Sequence, residues 1–166
     1  MRLERISIGG VLRFTDPVTV DLASLPAGLI AVTGNIGEGK TTLVEAPLAA
    51  LYRSFPSRAG VPVVDYATTR EAYLESIFTV DTRGRYRARV NLDGQRRAAD
   101  AVLEHTAPDG TVTLLNDGKL STYDEAIARV FPPRDVLLAT AFAAQNGAGS
   151  FALADKRGRK SLFSQI

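Results

Sequence analysis

The stretch GLIAVTGNIGEGKTTLVEAPLAALYR, residues 28–53, decides the fold that we predict for this chain of 166 residues. Its first part, residues 28–32, is a short uninterrupted apolar run, which is typical of a central strand covered on both faces. A glycine-rich turn follows, and residues 34–41 match the pattern G-x-x-x-x-G-K-[ST] at every required position. Residues 42–52 are almost wholly apolar and favour a buried helix. Strand, turn and helix in this order predict a phosphate-binding loop.

The composition of the loop suits a ligand that carries several negative charges. Glycine reaches positive φ cheaply, so the loop glycines permit the backbone N–H groups to point inward and approach a phosphate closely. The loop leads into a helix N-terminus, where free N–H groups and the helix dipole favour an anion. We expect Lys40 to contact the β- and γ-phosphates of ATP, Thr41 to bind Mg²⁺ through its hydroxyl, and Thr42 to lie near the α-phosphate. The predicted nucleotide-binding residues of the loop are Gly34, Asn35, Ile36, Gly37, Glu38, Gly39, Lys40, Thr41 and Thr42.

Composition narrows the classes of protein that fit this sequence. The chain is 45% hydrophobic, which is enough to build one domain with a core, and it contains no cysteine and a single histidine, His105. Disulfide frameworks, thiolate metal sites and histidine-cluster metal sites are therefore excluded. The start of the chain lacks the apolar segment of a signal peptide, and residues 136–144, the longest uncharged apolar run, are too few to span a bilayer. We expect a cytoplasmic protein without a membrane partner.

The remainder of the chain predicts an antiparallel sheet followed by helical segments. Residues 3–8 and 18–22 alternate apolar and polar side chains, as half-buried strands do. Four further strands are separated by turns too short for a parallel crossover, which favours a meander. We expect a mobile loop over residues 54–69, a helix over 121–130 with a capping box at Ser121, and an apolar strand over 136–144. The predicted meander strands are residues 71–80, 85–93, 97–106 and 111–115.

Several segments together resemble one known family. The segments MRLERISIGG, VTVDL, GNIGEGKTT, LVEAPLAALY and AAQNGAGSFALADKRGRKSLFSQI are similar, in this order, to the N-terminal half of SbcC-type DNA-repair ATPases, which are SMC-like members of the ABC ATPases. The resemblance implies an α/β P-loop NTPase of ABC/SMC type with an antiparallel meander, ending where a coiled coil begins. Within residues 1–166, it implies nucleotide-binding strands, loop and helix in 1–53, the meander in 70–120, and helix, strand, Q-loop and coiled-coil start in 121–166.

The same resemblance assigns roles to residues outside the loop. Gln145 matches the Q-loop glutamine, which in the family contacts Mg²⁺ and the attacking water, and Arg13 lies near a basic contact to the nucleotide. Family loops usually carry serine or alanine at the position of Glu38, so we expect this carboxylate to point away from bound phosphate. No Walker B aspartate or signature motif is present in a suitable context. An ATPase is implied, and we expect the fragment alone to be inactive.

The resemblance also implies the partners of the chain. They are the C-terminal half of the ATPase head, a second head in an ATP-dependent homodimer, a nuclease of the SbcD type, and DNA. Arg85, Arg87 and Arg89 recur at every second position, which places them on one face of a strand, where they fit either DNA phosphates or a solvated sheet face. Two alternative functions remain open at this point. One is a small-molecule or nucleoside kinase with Asp81 as the Mg²⁺ ligand and the arginines of residues 83–89 as a lid, and the other is a non-catalytic, nucleotide-dependent assembly module.

Overall fold

The computed structural model describes residues 1–142 and Arg157. Six strands and three α-helices make up this part of the chain, joined by short 3₁₀ turns. The strands are β1 (Arg2–Gly9), β2 (Val18–Asp21), β3 (Ala72–Thr79), β4 (Arg85–Asp93), β5 (Ala98–Thr106) and β6 (Val112–Leu114). The helices are α1 (Lys40–Tyr52), α2 (Leu120–Val130) and α3 (Arg134–Thr140). Among the described residues, every helix is too short or too polar to span a lipid bilayer.

All six strands form one antiparallel sheet in the order β2-β1-β3-β4-β5-β6. The predicted meander is therefore confirmed, and the N-terminal hairpin joins it through the pairing of β1 with β3. Alternation of side chains decides which face is covered, because successive residues of a strand point to opposite faces. One row across four strands is wholly buried and lies under the helices. It consists of Ile8, Leu74, Val90 and Ala101.

Helices α1 and α2 pack on this buried face of the sheet. The middle of α1 is buried on nearly all sides, which explains why its sequence is apolar without a clear stripe. Helix α2 is amphipathic and inserts Tyr123, whose hydroxyl donates a 2.6 Å hydrogen bond to the Ala50 carbonyl of α1. Arg53, just after α1, forms a two-armed ion pair with Asp124 of α2. These contacts fix the helix that follows the glycine-rich loop against both the sheet and α2.

The apolar run before the loop does not form the predicted central strand. Residues 28–32 are assigned to no strand, and Leu29, Ile30 and Val32 are exposed to solvent, Leu29 completely. A strand covered on both faces needs neighbours that complete its backbone hydrogen bonds. In the described residues, every strand belongs to the antiparallel sheet, so this run has nothing to pair with. The predicted central strand is therefore wrong for the described part of the chain.

The second predicted apolar strand is also wrong, because its described part is helical. Residues Arg134–Thr140 form α3, which begins after Pro133 and carries Asp135 in its first turn. A short continuous apolar run is compatible with either a buried strand or a buried helix, and periodicity alone cannot separate them. Proline before the first turn and an acid within it are helix-start signals, and they decide the outcome here.

Two smaller expectations need correction. Residues 54–69, expected to be a mobile loop, contain two 3₁₀ turns, Pro56–Arg58 and Val63–Tyr66, and bury Phe55 and Val63 in the core. The N-terminus of α2 is not closed by a capping box at Ser121. Instead, Asp117 accepts hydrogen bonds from the Lys119 N–H (3.1 Å) and from the Thr122 hydroxyl (2.5 Å), which together lower the pKa of Asp117 to about 2.

Candidate nucleotide-binding site

The glycine-rich loop adopts the backbone conformation that the sequence predicted for it. Gly34, Gly37 and Gly39 have φ values of 154°, 84° and 92°, a region that other L-residues rarely adopt. Gly39 precedes the first helical residue of α1, and a Cβ atom at its position would lie 2.9 Å from the ring of Phe14. The close contact with Phe14 and the positive φ both require glycine here. The loop therefore meets α1 as a tight turn onto a helix N-terminus.

Lys40 folds back across the loop that precedes it. Its ammonium donates hydrogen bonds to the carbonyl oxygens of Gly34 (2.7 Å) and Asn35 (2.6 Å). These bonds connect the start of the loop to the first turn of α1. They also place one positive charge at the opening of the loop. A cation beside a helix N-terminus attracts anions, and an ammonium with rotatable donors can exchange a carbonyl for a phosphate oxygen.

Glu38 points into the loop, contrary to the expectation that it would point away. Its carboxylate accepts hydrogen bonds from the Asn35 backbone N–H (2.6 Å) and from the Asn35 side-chain amide (2.7 Å). The bonds from the Asn35 side chain and backbone, helped by the charge of Lys40, lower the pKa of this carboxyl. The backbone and side-chain N–H groups of Asn35 are therefore already bonded to a side chain of the loop itself.

The other predicted loop residues differ in how accessible they are. Ile36 is fully exposed, so the backbone rather than the side chain of this residue is placed to meet a ligand. Thr41 is partly exposed in the first turn of α1, whereas Thr42 is buried on its core-facing side. Thr41 is therefore better placed than Thr42 for a ligand that approaches from solvent.

Arg13, the predicted basic contact to the nucleotide, lies beside Gly37 of the loop. A Cβ atom at Gly37 would be 3.9 Å from the Arg13 guanidinium. The turn that carries Arg13 is held by paired backbone hydrogen bonds between Val11 and Phe14 (3.2 and 2.9 Å). The Arg13 side chain is exposed and makes no ion pair with any described residue, so its charge remains available to an anion in the loop.

Glu45 is a buried charged residue near the start of α1 that sequence reasoning missed. It lies in α1 with only 1% of its surface exposed, and its carboxylate accepts bonds from the Ser57 N–H (3.1 Å) and the Ser57 hydroxyl (2.7 Å). These bonds tie the turn Pro56–Arg58 to the helix that begins at the loop. The signal was present in the sequence as the one acid in an otherwise apolar helix.

The three arginines of β4 lie on the face of the sheet opposite to the core, as their spacing predicted. Each one is paired with a carboxylate from another strand of the sheet, so much of the positive charge of this face is compensated. Arg89 also lies over the ring of Tyr73, 4.2 Å from its centroid. The pairs are Arg85 with Glu4 (2.9 Å), Arg87 with Glu75 (3.2 Å) and Glu104 (2.9 Å), and Arg89 with Glu75 (3.1 Å).

Asp81, the Mg²⁺ ligand in the kinase alternative, lies far from the loop. Its carboxylate is 3.4 Å from the N-terminal ammonium of Met1, before the start of β1, whereas Phe14, which contacts the loop, follows the end of β1. The eight residues of β1 span about 26 Å between these points. A single nucleotide cannot bridge that distance between its phosphates and this carboxylate, so the kinase alternative loses its metal ligand.

The residues present fit a nucleotide whose metal ion arrives with its phosphates. The inward-folded loop, the Lys40 ammonium and the N-terminus of α1 suit a polyphosphate, and the Thr41 hydroxyl is a suitable oxygen ligand for Mg²⁺. Within residues 1–142 and at Arg157, no group of three or more His, Cys, Asp or Glu residues could hold a metal ion by itself. Gln145, the predicted second Mg²⁺ contact, lies outside the described residues.

Comparisons with known proteins agree with the geometry of the loop and the sheet. Residues 5–130 match the sequence family described as AAA domain. A solved structure from work on the ATP-driven dimerisation and DNA-stimulated activation of SMC ATPases matches with a TM-score of 0.56 and 18% sequence identity, covering 100% of this chain and 99% of the other. At that identity the match shows a shared fold. No curated protein is significantly similar in sequence.

Proposed function

The chain belongs to the AAA domain family, and on this premise we propose that it is the ATP-binding half of an SMC-like ATPase head. One observation carries the proposal: a complete phosphate loop, with Lys40 at its mouth, leads into the N-terminus of a helix buried against the sheet. The buried helix makes the loop rigid on one side, and the positive-φ glycines let its amides converge. A triphosphate is the ligand that fits this arrangement.

Lys40, the loop amides and Thr41 hold Mg·ATP in this proposal. Lys40 exchanges its carbonyl partners for phosphate oxygens, and Arg13 adds a second positive charge from the turn after β1. When it is bound, the Mg²⁺ ion would neutralise part of the negative charge of the phosphates. Gln145 is the proposed contact to Mg²⁺ and to the attacking water. Since the chain has no Walker B aspartate or signature motif in a suitable place, we expect it to bind ATP and to hydrolyse it slowly or not at all alone.

The C-terminal half of the head is the first proposed partner. The exposed apolar residues before the loop support it, because a second sheet that pairs with this segment would remove Leu29, Ile30 and Val32 from water. A second head is the next partner, in a dimer that forms on ATP. The solved SMC ATPase with the same fold comes from work on such ATP-driven dimerisation, which supports this step.

DNA and a nuclease of the SbcD type are the more specific partners that we propose for the assembled head, in the repair of DNA ends. The proposed DNA contacts are Arg85, Arg87 and Arg89. Because all three are ion-paired, DNA phosphates must compete with carboxylates on other strands of the sheet, and the interaction should be weak and steeply salt-dependent. Reversing the charge of Arg87 should reduce DNA affinity of the assembled head at low salt, and unchanged affinity would remove this face from the proposal.

ATP-dependent assembly tests the proposed function. The chain is mixed with a separately produced C-terminal half of an SMC-like head from the same genome, and mass is measured by light scattering with and without Mg·ATP. We expect a complex of two heads that requires ATP and is lost with Lys40→Ala. Phosphoryl transfer to a small molecule would instead support a kinase, and ATP binding without dimerisation or hydrolysis would support a non-catalytic assembly module.

A further inference from the structure

We propose that Glu38 sets the nucleotide affinity of the loop by competing, as an internal carboxylate, with phosphate for the Asn35 amide. The inference rests on the proposed function, since the competitor matters only if the loop binds a polyphosphate. It is argued from the contacts that the Glu38 carboxylate makes with Asn35 and beside Gly34. We call the contact between Glu38 and Asn35 the Glu38 latch.

The geometry of the latch is specific. One oxygen of the Glu38 carboxylate lies 2.6 Å from the Asn35 backbone nitrogen, and the other lies 2.7 Å from the Asn35 side-chain nitrogen. The first oxygen also sits in the space beside Gly34, where a Cβ atom would be only 2.5 Å away. Both carboxylate oxygens are thus placed over the start of the loop, where the absence of a Gly34 side chain makes room for them.

A carboxylate resembles a phosphate in charge and in its acceptor oxygens. Bonds from N–H groups to a charged acceptor are about twice as strong as bonds to a neutral one, so the Asn35 amide is well satisfied without a ligand. Lys40 completes the arrangement, since its ammonium is held by the carbonyls of Gly34 and Asn35 on the same segment. Entry of a phosphate requires Glu38 to leave and Lys40 to turn. The latch therefore weakens binding by the free energy needed to open it.

Three variants separate the latch from simple repulsion between charges. Glu38→Ala removes both the carboxylate and the latch. Glu38→Asp keeps the charge but is one methylene shorter, so it breaks the latch alone. Glu125→Ala removes an exposed acid of α2 and controls for net charge. The dissociation constant of Mg·ATP is measured by calorimetry with the full chain, each of these variants and Lys40→Ala.

If the Glu38 latch weakens nucleotide binding, variants that break it should bind Mg·ATP more tightly. We expect affinity to rise about tenfold in Glu38→Ala and about threefold to fivefold in Glu38→Asp, and not to change in Glu125→Ala. If Glu38→Asp binds like the unaltered chain while Glu38→Ala binds more tightly, only charge matters and the latch is refuted. If neither Glu38 variant differs from the unaltered chain while Lys40→Ala abolishes binding, the latch is refuted and the proposed function stands.

A measurement without nucleotide tests the contact between Glu38 and Asn35 separately from nucleotide binding. Amide hydrogen exchange of Asn35, followed by NMR, should be slow in the unaltered chain and faster in both Glu38 variants. If no variant binds Mg·ATP, the proposed function fails and the effect of Glu38 on affinity fails with it, whereas the Asn35 exchange rates still show whether Glu38 bonds to the Asn35 amide. Equal exchange rates in all variants would overturn the latch.

Discussion

At the scale of single residues, Lys40 carries the largest share of the expected binding free energy. Among the described residues it brings the only ammonium at the mouth of the loop, and its partners are two backbone carbonyls that a phosphate can replace. Lys40→Ala should therefore weaken Mg·ATP binding at least about 100-fold, as expected for loss of a charge-assisted contact to phosphate. Fluorescence titration with a labelled ATP analogue measures the effect. Lys119→Ala, an exposed lysine before α2, is the control and should leave binding unchanged.

Glu45 should stabilise the fold rather than contact the ligand. Its buried carboxylate accepts hydrogen bonds from the Ser57 N–H and hydroxyl, so Glu45→Gln should cost about 1–2 kcal/mol because an amide cannot accept all of them. Ser57→Ala loses the hydroxyl bond alone and should cost about 1 kcal/mol or less. Urea unfolding measures both variants. Equal stability of Glu45→Gln and the unaltered chain would show that this contact contributes nothing.

Sequence predicted which residues form the loop, but not how they pair before a ligand binds. The positions of the glycines, Lys40 and Thr41 follow from the pattern, because each has a steric or chemical role that few other residues can fill. The direction of Glu38 does not follow, because it depends on the distance to Asn35 in the folded loop. Glu45 was missed for the same reason: its partner, Ser57, is twelve residues away in a segment without periodicity.

At the scale of elements, the start of α2 is held by Asp117, which precedes the helix, and has no side-chain cap at its N-terminus. Asp117 accepts bonds from the Lys119 N–H and the Thr122 hydroxyl, whereas Ser121, which the sequence favoured as the cap, lies inside the helix. Asp117→Ala should lower the melting temperature of the chain, and Ser121→Ala should leave it nearly unchanged. Circular dichroism during heating measures both. A larger loss in Ser121→Ala would reverse the assignment.

The hydrogen bonds that Asp117 accepts also make its contribution to stability depend on pH. Its pKa is lowered to about 2 by the hydrogen bonds that it accepts, so the carboxylate is charged throughout the neutral range. The contribution is present above the ordinary value near 3.8 and is lost as pH falls toward 2. The difference in melting temperature between Asp117→Ala and the unaltered chain should therefore vanish in strong acid.

The strands whose hydrogen-bond partners lie within the described sheet were predictable from the sequence. The segment at residues 28–32, which has no strand partner among the described residues, was not. The six strands follow from alternation and turn signals, since each pairs with a sequence neighbour or with the N-terminal hairpin. The apolar side chains of residues 28–32 predicted a central strand. A central strand needs a paired strand on each side, and the described residues provide none. Residues 136–144 carry a similar apolar run, and the helix-start signals around Pro133 outweigh it in the described part.

At the scale of the whole molecule, the ion pairs on the outer face of the sheet should make stability depend on pH. Hydrogen bonds from Arg87 lower the pKa of Glu104, and a hydrogen bond from Thr79, with help from Arg2 and Arg85, lowers that of Glu4. Both carboxyls then stabilise the fold above the ordinary value of about 4.5 and lose that contribution as pH falls through their lowered pKa.

The effect is measured as the urea midpoint between pH 7 and pH 3. We expect a decline that begins below about pH 5, with a contribution of up to about 1 kcal/mol from each part-buried pair. Arg87→Met should flatten the decline, since it removes the partner of Glu104 while keeping the aliphatic stem. An identical pH profile in Arg87→Met would contradict the assignment.

Because the apolar segment before the loop is exposed, a polar substitution there should reduce association with the C-terminal half without reducing the stability of this chain. Leu29 is completely exposed, so Leu29→Asp should leave the free energy of unfolding of this chain unchanged and should abolish association with the C-terminal half. Leu51→Asp, at a core position of α1, is the contrasting variant and should unfold the chain. Normal association of Leu29→Asp, measured by light scattering, would show that this segment is not an interface.

The structure of the chain with Mg²⁺ and a non-hydrolysable ATP analogue tests the central claim most directly. The account predicts the triphosphate inside residues 34–41, with Lys40 moved from the Gly34 and Asn35 carbonyls onto phosphate oxygens and Glu38 released from the Asn35 amide. An analogue bound elsewhere, or a loop in which Lys40 keeps both carbonyl bonds while the analogue is present, would contradict it.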